Sequence, residues 1–309
     1  MSLSPSVLQT LILFLLMAVG FAAGKARILD AVGNKGLSRL LVNFILPSLI
    51  IESMQRPFSS QLRDTAFVML GVSFMSYAIA FPLAWILQRL IGAKGAEKGP
   101  HAFGAIFSNC AFMGFPVVEA ILGKDAIFFA SVANIPFQFL AFSVGPYILA
   151  KTAGSTAKLS LWSFITPAAV ASVIGFALFC AGMTLPTPLG KAMTLLGDTT
   201  TPMSMILIGS IISRMNLRMA VGRVRLYATS LFRLVLFPAV LFLLLRMLGI
   251  KGLLLALPVI LAAMPVAANS AILAEAYGGD AETASSLVLV STLLSLLTIP
   301  VLASFHFPA

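Results

Sequence analysis

The chain has 309 residues, of which 60% are apolar and only 10% charged, and its formal net charge is +10. The mean hydropathy is +1.04, a value that the surface of a soluble globular domain would not allow. These values exclude a soluble enzyme and a soluble nucleic-acid-binding protein, and they indicate a polytopic membrane protein that contacts lipid along most of its length.

Ten apolar runs follow one another along the chain, each of roughly the 20 residues that a transmembrane helix needs. Because these runs take up nearly the whole sequence, the connections between them are short and no soluble domain is left over. We therefore predict an all-α protein with ten transmembrane helices. The runs are 6–24, 37–54, 65–91, 100–122, 125–150, 158–181, 191–213, 223–248, 252–276 and 280–303.

The basic residues of the loops predict the orientation in the membrane. The first run has no basic residue before it and no cleavage site after it, so we interpret it as a span and not as a signal peptide. Of the 20 lysines and arginines, Arg233 lies within a run and is not counted. If the N-terminus is outside, six of the other 19 face outward and 13 face the cytoplasm. Lys158 and Arg218 are among these 13. This bias predicts that both termini are external. The six outward residues are Arg56, Arg63, Lys124, Lys191, Arg246 and Lys251.

Two runs contain residues that interrupt a helix. The fourth contains Ser108-Asn109-Cys110 and Pro116, and the ninth contains Pro265 and Asn269-Ser270. Proline and asparagine disfavour a continuous helix, and the backbone polar groups that an interruption frees cannot be satisfied by hydrocarbon. Such interruptions are typical of substrate sites in secondary transporters.

The two halves of the chain repeat each other at a nearly constant offset of 154 to 156 residues. Because each half has five runs, the second half must enter the membrane from the opposite side, which predicts an inverted repeat of residues 1–154 and 155–309. The matching features are Val19 to Ala22 with Ile174 to Ala177, Pro47 with Pro202, Phe81-Pro82 with Phe237-Pro238, and Gly145-Pro146 with Ile299-Pro300.

The sequence resembles the bacterial branch of the auxin efflux carrier family over nearly its whole length. The similarity is found in Phe112 to Pro116 after Asn109, in Leu196 to Gly209, in Ala263 to Asp280, and in Ser291 to Thr298. The resemblance implies the fold of the bile-acid sodium symporters: spans 1, 2, 6 and 7 form a scaffold, spans 3–5 and 8–10 form a mobile core, and broken spans 4 and 9 cross. It also implies that the core turns about Pro116 and Pro265.

The resemblance further implies the activity and its setting. Bacterial relatives move small organic anions such as malonate or malate, in a lipid bilayer, and the scaffold of some relatives forms a homodimer. The long cytoplasmic loop of many plant members is missing, which favours a carrier of the bacterial inner membrane over an exporter of an auxin-like carboxylate. A receptor would normally have a signalling domain, and a channel would fit the paired interruptions less well.

Candidate substrate-binding residues lie mainly at the interruptions. The amides of Asn109 and Asn269 could bind a substrate carboxylate, or they could cap half-helices. Asn134 and Gln138 are one helical turn apart on the fifth run, so they share a face and could contact substrate or a neighbouring helix. The full predicted set is Asn43, Asn109, Cys110, Gly114, Pro116, Asn134, Gln138, Arg233, Pro265, Asn269 and Ser270.

Arg233 lies about ten residues inside the eighth run, roughly 15 Å along a helix from Arg223. A charge at that depth costs several kcal/mol unless it finds an anion, water or a structural partner. Arg233 could therefore attract an anionic substrate, form a structural pair, or snorkel along its own stem toward the cytoplasmic face. Asp198 lies four residues before Pro202, as Asn43 does before Pro47, and it could cap a helix start.

Helix ends provide the expected anion site. If half-helices begin at Pro116 and Pro265, both present free backbone N–H groups toward the centre, and each end behaves like about half a positive charge. In sodium-coupled relatives an acidic residue precedes the Asn-Ser pair of the ninth span, whereas here Met264 to Ala268 contain none. We therefore expect proton coupling or uniport driven by membrane potential, with sodium symport as the alternative.

The remaining polar residues suggest no chemistry. Cys110 and Cys180 lie in apolar runs, where a thiol is usually a small buried hydrophobe, so we expect no disulfide. His101 and His306 have no partner at metal-ligand spacing, and there is no phosphate-binding loop or paired nucleophile and base. We expect no bound metal, no cofactor and no enzymatic activity.

Overall fold

The computed structural model describes residues 5–154, 165–214 and 222–305, and throughout these stretches the regular structure is helical, without a β-strand. The predicted all-α class is therefore confirmed. In chain order the helices are α1 Pro5–Lys25, α2 Ala31–Ser53, α3 Ser60–Leu90, α4 Lys98–Ile106, α5 Cys110–Leu122, α6 Ala126–Ala133, α7 Ile135–Thr152, α8 Pro167–Cys180, α9 Thr187–Asp198, α10 Thr200–Arg214, α11 Val224–Met247, α12 Gly252–Ala262, α13 Ser270–Ala276 and α14 Ala281–Ser304.

Within the described ranges, seven helical stretches are long and apolar enough to cross a membrane, counting α6 with α7 and α9 with α10 as one stretch each. Three shorter apolar helices are α5, α8 and α12. The predicted fourth and ninth spans are short because each is interrupted, and the predicted sixth span begins at 158–164, outside the described residues. Lys158, Arg218 and His306 also lie outside them, so the ten-span count and the orientation stay predictions.

In the part of the chain that the structure describes, three helices contain a π-helical segment of five residues just before a proline. The segments are Leu41–Ile45 in α2, Cys110–Gly114 in α5 and Phe232–Leu236 in α11, and in each case the proline (Pro47, Pro116 or Pro238) is the second residue after the segment. A proline lacks the N–H that an α-helix needs and its ring crowds the preceding turn, and a wider turn accommodates both effects.

The contacts divide the chain into two compact units. The first comprises Met1–Gly71, Ala111–Ile135 and Ile165–Met215, and the second comprises Val72–Cys110, Pro136–Phe164 and Asn216–Ala309. Each unit draws on both halves of the sequence, so the units are not the two sequence repeats. The division into repeats at residue 154 therefore stays a prediction about the sequence.

In the first unit, α1 and α10 pack with their backbones in contact. A Cβ atom added at Gly209 would overlap the carbonyl oxygen of Met17, and one added at Gly20 would overlap that of Ile206. A Cβ atom added at Gly24 would likewise overlap the Ser213 hydroxyl, so Gly20 and Gly24 form the small-residue pattern that lets apolar helices approach closely. This contact needs glycine on both helices.

Polar residues at helix ends of the first unit form an ionic cluster. Lys124 Nζ lies 2.8 Å from Asp198 Oδ1 and 3.8 Å from Glu52 Oε1, and Arg56 donates to Asp125 at 2.7 Å. The hydrogen bond to Asp198 raises the pKa of Lys124 above its usual value. Asp198 is the last residue of α9 and pairs with Lys124, whereas the sequence suggested a cap for the next helix.

One expectation about a single residue is corrected in the first unit, and the substrate-binding role of Asn43 stays a prediction. Cys180, expected to be buried, is an exposed free thiol, because it is the last residue of α8. Asn43 is exposed, and its Nδ2 donates to the carbonyl oxygen of Arg39 at 2.7 Å, one turn back along the same helix.

The second unit has an aromatic core around Phe107, which is fully buried. The ring of Phe107 lies 4.8 Å from that of Phe103 and 6.0 to 6.3 Å from those of Tyr77, Phe81 and Phe137, measured between centroids. The aromatic rings around Phe107 fix the position of the non-helical segment that begins at Phe107. At one end of the same unit, Arg223 pairs with Glu282 and Arg225 with Glu97.

Candidate functional site

The second unit contains two helix interruptions. Helix α4 ends at Ile106 and α5 begins at Cys110, and α12 ends at Ala262 and α13 begins at Ser270. We call the residues between them, 107–109 and 263–269, the break pair. Pro265 cannot donate a backbone hydrogen bond and restricts the residue before it, which explains why α12 does not continue.

The two segments of the break pair bond to each other through their backbones. Ser108 and Val266 form an isolated antiparallel bridge. The Asn109 N–H donates to Pro265 O at 2.8 Å, and the Ala267 N–H donates to Phe107 O at 3.1 Å. Polar groups that each interruption frees are therefore satisfied by the other interruption, as an environment without water requires.

Serine side chains satisfy further backbone groups there. The Ser108 hydroxyl donates to Leu261 O at 2.8 Å and lies 3.0 Å from the Cys110 thiol. The Val266 N–H donates to the hydroxyl of Ser291 on α14 at 3.0 Å. Ser291 is fully buried, so its place next to the break pair is fixed.

Arg233 is a charged residue that reaches the break pair, and only 2% of it is exposed. Its Nη1 donates to the carbonyl oxygens of Ala105 at 3.1 Å and Ile106 at 3.2 Å, and its Nε donates to that of Met264 at 3.3 Å. The guanidinium also lies 5.2 Å from the centre of the Phe237 ring. Among the residues that the structure describes, no carboxylate pairs with Arg233.

Arg233 and the ends of four helices contribute charges of both signs at the break pair. Helices α4 and α12 both end here, and each C-terminus behaves like about half a negative charge. Together the two ends offset the single positive charge of Arg233. The N-terminal ends of α5 and α13 are also at the break pair, each like about half a positive charge, and neither segment of the break pair contains an acidic residue. By this count the helix ends and Arg233 sum to a net positive charge.

The starts of the second half-helices differ from the prediction. They were expected at Pro116 and Pro265, but α5 begins at Cys110 with a π-helical segment and α13 begins at Ser270. The N–H groups of Val266 and Ala267, expected to be free, already donate to Ser291 and Phe107. For Pro265 the prediction was wrong, because these bonds connect residues that are far apart in the sequence. At Pro116 a regular α-helix does begin, at Phe115, but the π-helical segment precedes it.

Two oxygen atoms remain without a partner where α13 begins. Ser270 is 1% exposed, and neither its hydroxyl nor the Oδ1 of Asn269 has a hydrogen-bond partner within the described ranges. A buried polar atom without a partner is uncommon and needs an explanation, such as a ligand or water.

The structure brings some of the predicted site residues together. Asn109, Cys110, Arg233, Pro265, Asn269 and Ser270 all belong to the break pair or its neighbours. Gln138 is a buried residue of the same unit, on α7. Asn43, Gly114, Pro116 and Asn134 belong to the first unit.

Asn134 differs from its predicted setting. The prediction that it shares a face with Gln138 assumed one helix, but α6 ends at Ala133 and α7 begins at Ile135. Asn134 is 1% exposed, and both polar atoms of its amide lack a partner among the residues described. Its role in substrate binding stays a prediction.

Three residues at the break pair were not predicted as site residues from the sequence: Ser108, Ser291 and Phe107. Ser108 and Ser291 are polar residues inside apolar runs, a signal that could have identified both. Phe107 offered no such signal, because an aromatic residue in an apolar run is ordinary.

A family model described as "Membrane transport protein" matches residues 5–160 and 150–303, which is nearly the whole chain. The chain belongs to this family. The match confirms the resemblance to the auxin efflux carriers, so the protein is a multi-pass membrane transport protein.

Three relatives match this chain over most of their length, and each is named as a transporter. An uncharacterised transporter of Methanothermobacter thermautotrophicus is 25% identical over 303 residues, 97% of each chain. A protein of Rhizobium meliloti named "Putative malonate transporter" is 24% identical over 286 residues, 89% of this chain and 88% of the relative. An uncharacterised transporter of Methanocaldococcus jannaschii is 24% identical over 296 residues, 94% of this chain and 95% of the relative.

Proposed function

We propose that this membrane transport protein is a secondary carrier of small organic anions, mono- or dicarboxylates such as malonate or malate. The observation that supports this most directly is buried Arg233 at the break pair, whose two segments contain no acidic residue. Arg233 offsets the C-terminal ends of α4 and α12, which leaves the N-terminal ends of α5 and α13 for an anion. The name of the Rhizobium meliloti relative is consistent with a carboxylate substrate.

The proposed mechanism is alternating access. In it, ten spans form an inverted repeat, spans 4 and 9 cross at the break pair, and the core of spans 3–5 and 8–10 moves against the scaffold of spans 1, 2, 6 and 7. A substrate carboxylate would receive hydrogen bonds from the Asn109 and Asn269 amides and from the Ser270 hydroxyl. We further propose a location in the bacterial inner membrane, external termini, and a scaffold that can form a homodimer.

Purified protein in proteoliposomes is expected to take up malonate or another two- to six-carbon carboxylate with saturable kinetics. Malonamide, which has the shape of malonate without its charge, is the matched control and should neither be transported nor compete. Protein-free liposomes give the background rate. If no carboxylate of the panel shows saturable uptake under an imposed pH gradient or membrane potential, the proposed function is wrong.

Replacement of sodium by choline is expected to leave carboxylate uptake unchanged. Sodium prefers hard oxygen ligands and gains much from a formal negative charge at a site of low dielectric, and the break pair provides no such charge. Uptake should respond instead to the pH gradient or to the membrane potential. A rate that falls to background in choline would establish sodium symport, the alternative that the sequence left open.

A further inference from the structure

The guanidinium of Arg233 occupies a place that resembles a cation site. Three main-chain carbonyl groups, those of Ala105, Ile106 and Met264, accept its hydrogen bonds. All three lie at or just beyond the C-terminal ends of two broken helices. In carriers with discontinuous helices, such carbonyl groups and C-terminal helix ends are the ligands of coupling cations.

The position of Arg233 is strongly determined. Its π-helical segment, Phe232–Leu236, belongs to α11, and its side chain is almost wholly buried. The Nε and Nη1 atoms reach carbonyl groups of two different helices, which suits the fixed fork of a guanidinium better than the single ammonium of lysine. A buried cation of this kind needs compensating negative charge, and the two helix ends supply about one unit.

We propose that Arg233 is a tethered cation that permanently fills the carbonyl site between the ends of α4 and α12, where a cation-coupled carrier would bind an exchangeable ion. The site is thus never empty, and the two half-helices stay joined through every transport cycle. The part of this inference that concerns coupling rests on the proposed function, since it explains why anion transport needs no sodium. The part that concerns the carbonyl site is independent of the proposed function.

The proposal predicts chemical rescue. Arg233→Ala removes the cation and opens the carbonyl site, so its thermal stability and its malonate affinity should both fall in choline buffer. The affinity should fall at least about tenfold, because unpaired buried carbonyl groups and uncompensated helix ends oppose an anion. Millimolar guanidinium should restore both properties, and sodium should restore them in part. The measurements are thermal unfolding and malonate binding of the purified variant, compared with wild type in the same buffers.

Matched variants separate this rescue from general effects of salt. Arg246→Ala removes an exposed arginine from the same helix, α11, and should show no dependence on guanidinium or sodium. Arg233→Lys keeps the charge and should stay folded without added cations, whereas Arg233→Met has similar length but no charge and should be as unstable as Arg233→Ala. If the Arg233→Ala variant does not fold, the difference in stability between Arg233→Lys and Arg233→Met still tests the proposal.

These measurements test the tethered-cation proposal and the proposed function separately. If Arg233→Ala is folded and its stability is indifferent to guanidinium and sodium, or if Arg233→Lys is as unstable as Arg233→Met, the tethered-cation proposal is wrong. If wild type binds no carboxylate while Arg233→Ala is still stabilised by guanidinium, the proposed function is wrong and the cation site stands.

Discussion

Replacement of Gly209 by alanine is expected to destabilise the first unit severely. The added methyl group would overlap the Met17 carbonyl oxygen, and its other near neighbours are backbone atoms of Met17 and Phe21, which cannot move independently of α1. Helices α1 and α10 would have to separate along their length. The expected loss is at or beyond the upper end of the about 1–3 kcal/mol typical of overpacking. Thermal unfolding of the purified protein in detergent measures it.

Gly71→Ala is the matched control for this prediction. Gly71 also lies within a helix of the first unit, on α3, but nothing lies within 4 Å of an added Cβ atom. Alanine there should be neutral or slightly stabilising, since glycine inside a helix costs about 0.8–1 kcal/mol relative to alanine. Equal unfolding temperatures for the two variants would show that the close approach of α1 and α10 does not limit stability.

Asn109→Ala and Asn269→Ala are each expected to weaken carboxylate binding by about tenfold to a hundredfold. Each change removes an amide donor at the break pair, and a hydrogen bond to a charged group contributes about 1.5–3 kcal/mol. The purified variants should fold normally, because the backbone bonds of the break pair do not require either side chain. Binding of malonate to purified protein, by calorimetry or by protection against thermal unfolding, measures the change.

Asn34→Ala controls for the loss of an amide as such. Asn34 is a buried asparagine of the first unit, on α2, and has no assigned role in substrate binding. Its replacement should leave affinity unchanged. Affinities close to wild type in both Asn109→Ala and Asn269→Ala would place the carboxylate site away from the break pair.

The sequence predicted the helical class and the position of the interruptions because both depend on local composition. Apolar runs identify helices that contact lipid, and Pro265 and Asn109 stand where an unbroken helix would have apolar residues. The ends of the half-helices could not be predicted in the same way. They depend on bonds such as Ala267 to Phe107 and Val266 to Ser291, which connect residues about 25 to 160 positions apart.

Arg233 illustrates a second limit. Its depth in an apolar run was evident from the sequence and correctly marked it as unusual. Its partners are main-chain carbonyl groups, which every residue has, so no pattern of side chains could identify them. The choice between substrate attraction and structural pairing therefore needed the structure to show the bonds, and direct contact with substrate stays a prediction.

The π-helical segments before Pro47, Pro116 and Pro238 change the angular phase of the helices that contain them. A π-turn holds an additional residue, so side chains after the segment are rotated by about 100° from the direction that an uninterrupted α-helix would give them. A helical wheel drawn through any of these spans is valid on one side of the segment only and must be restarted on the other.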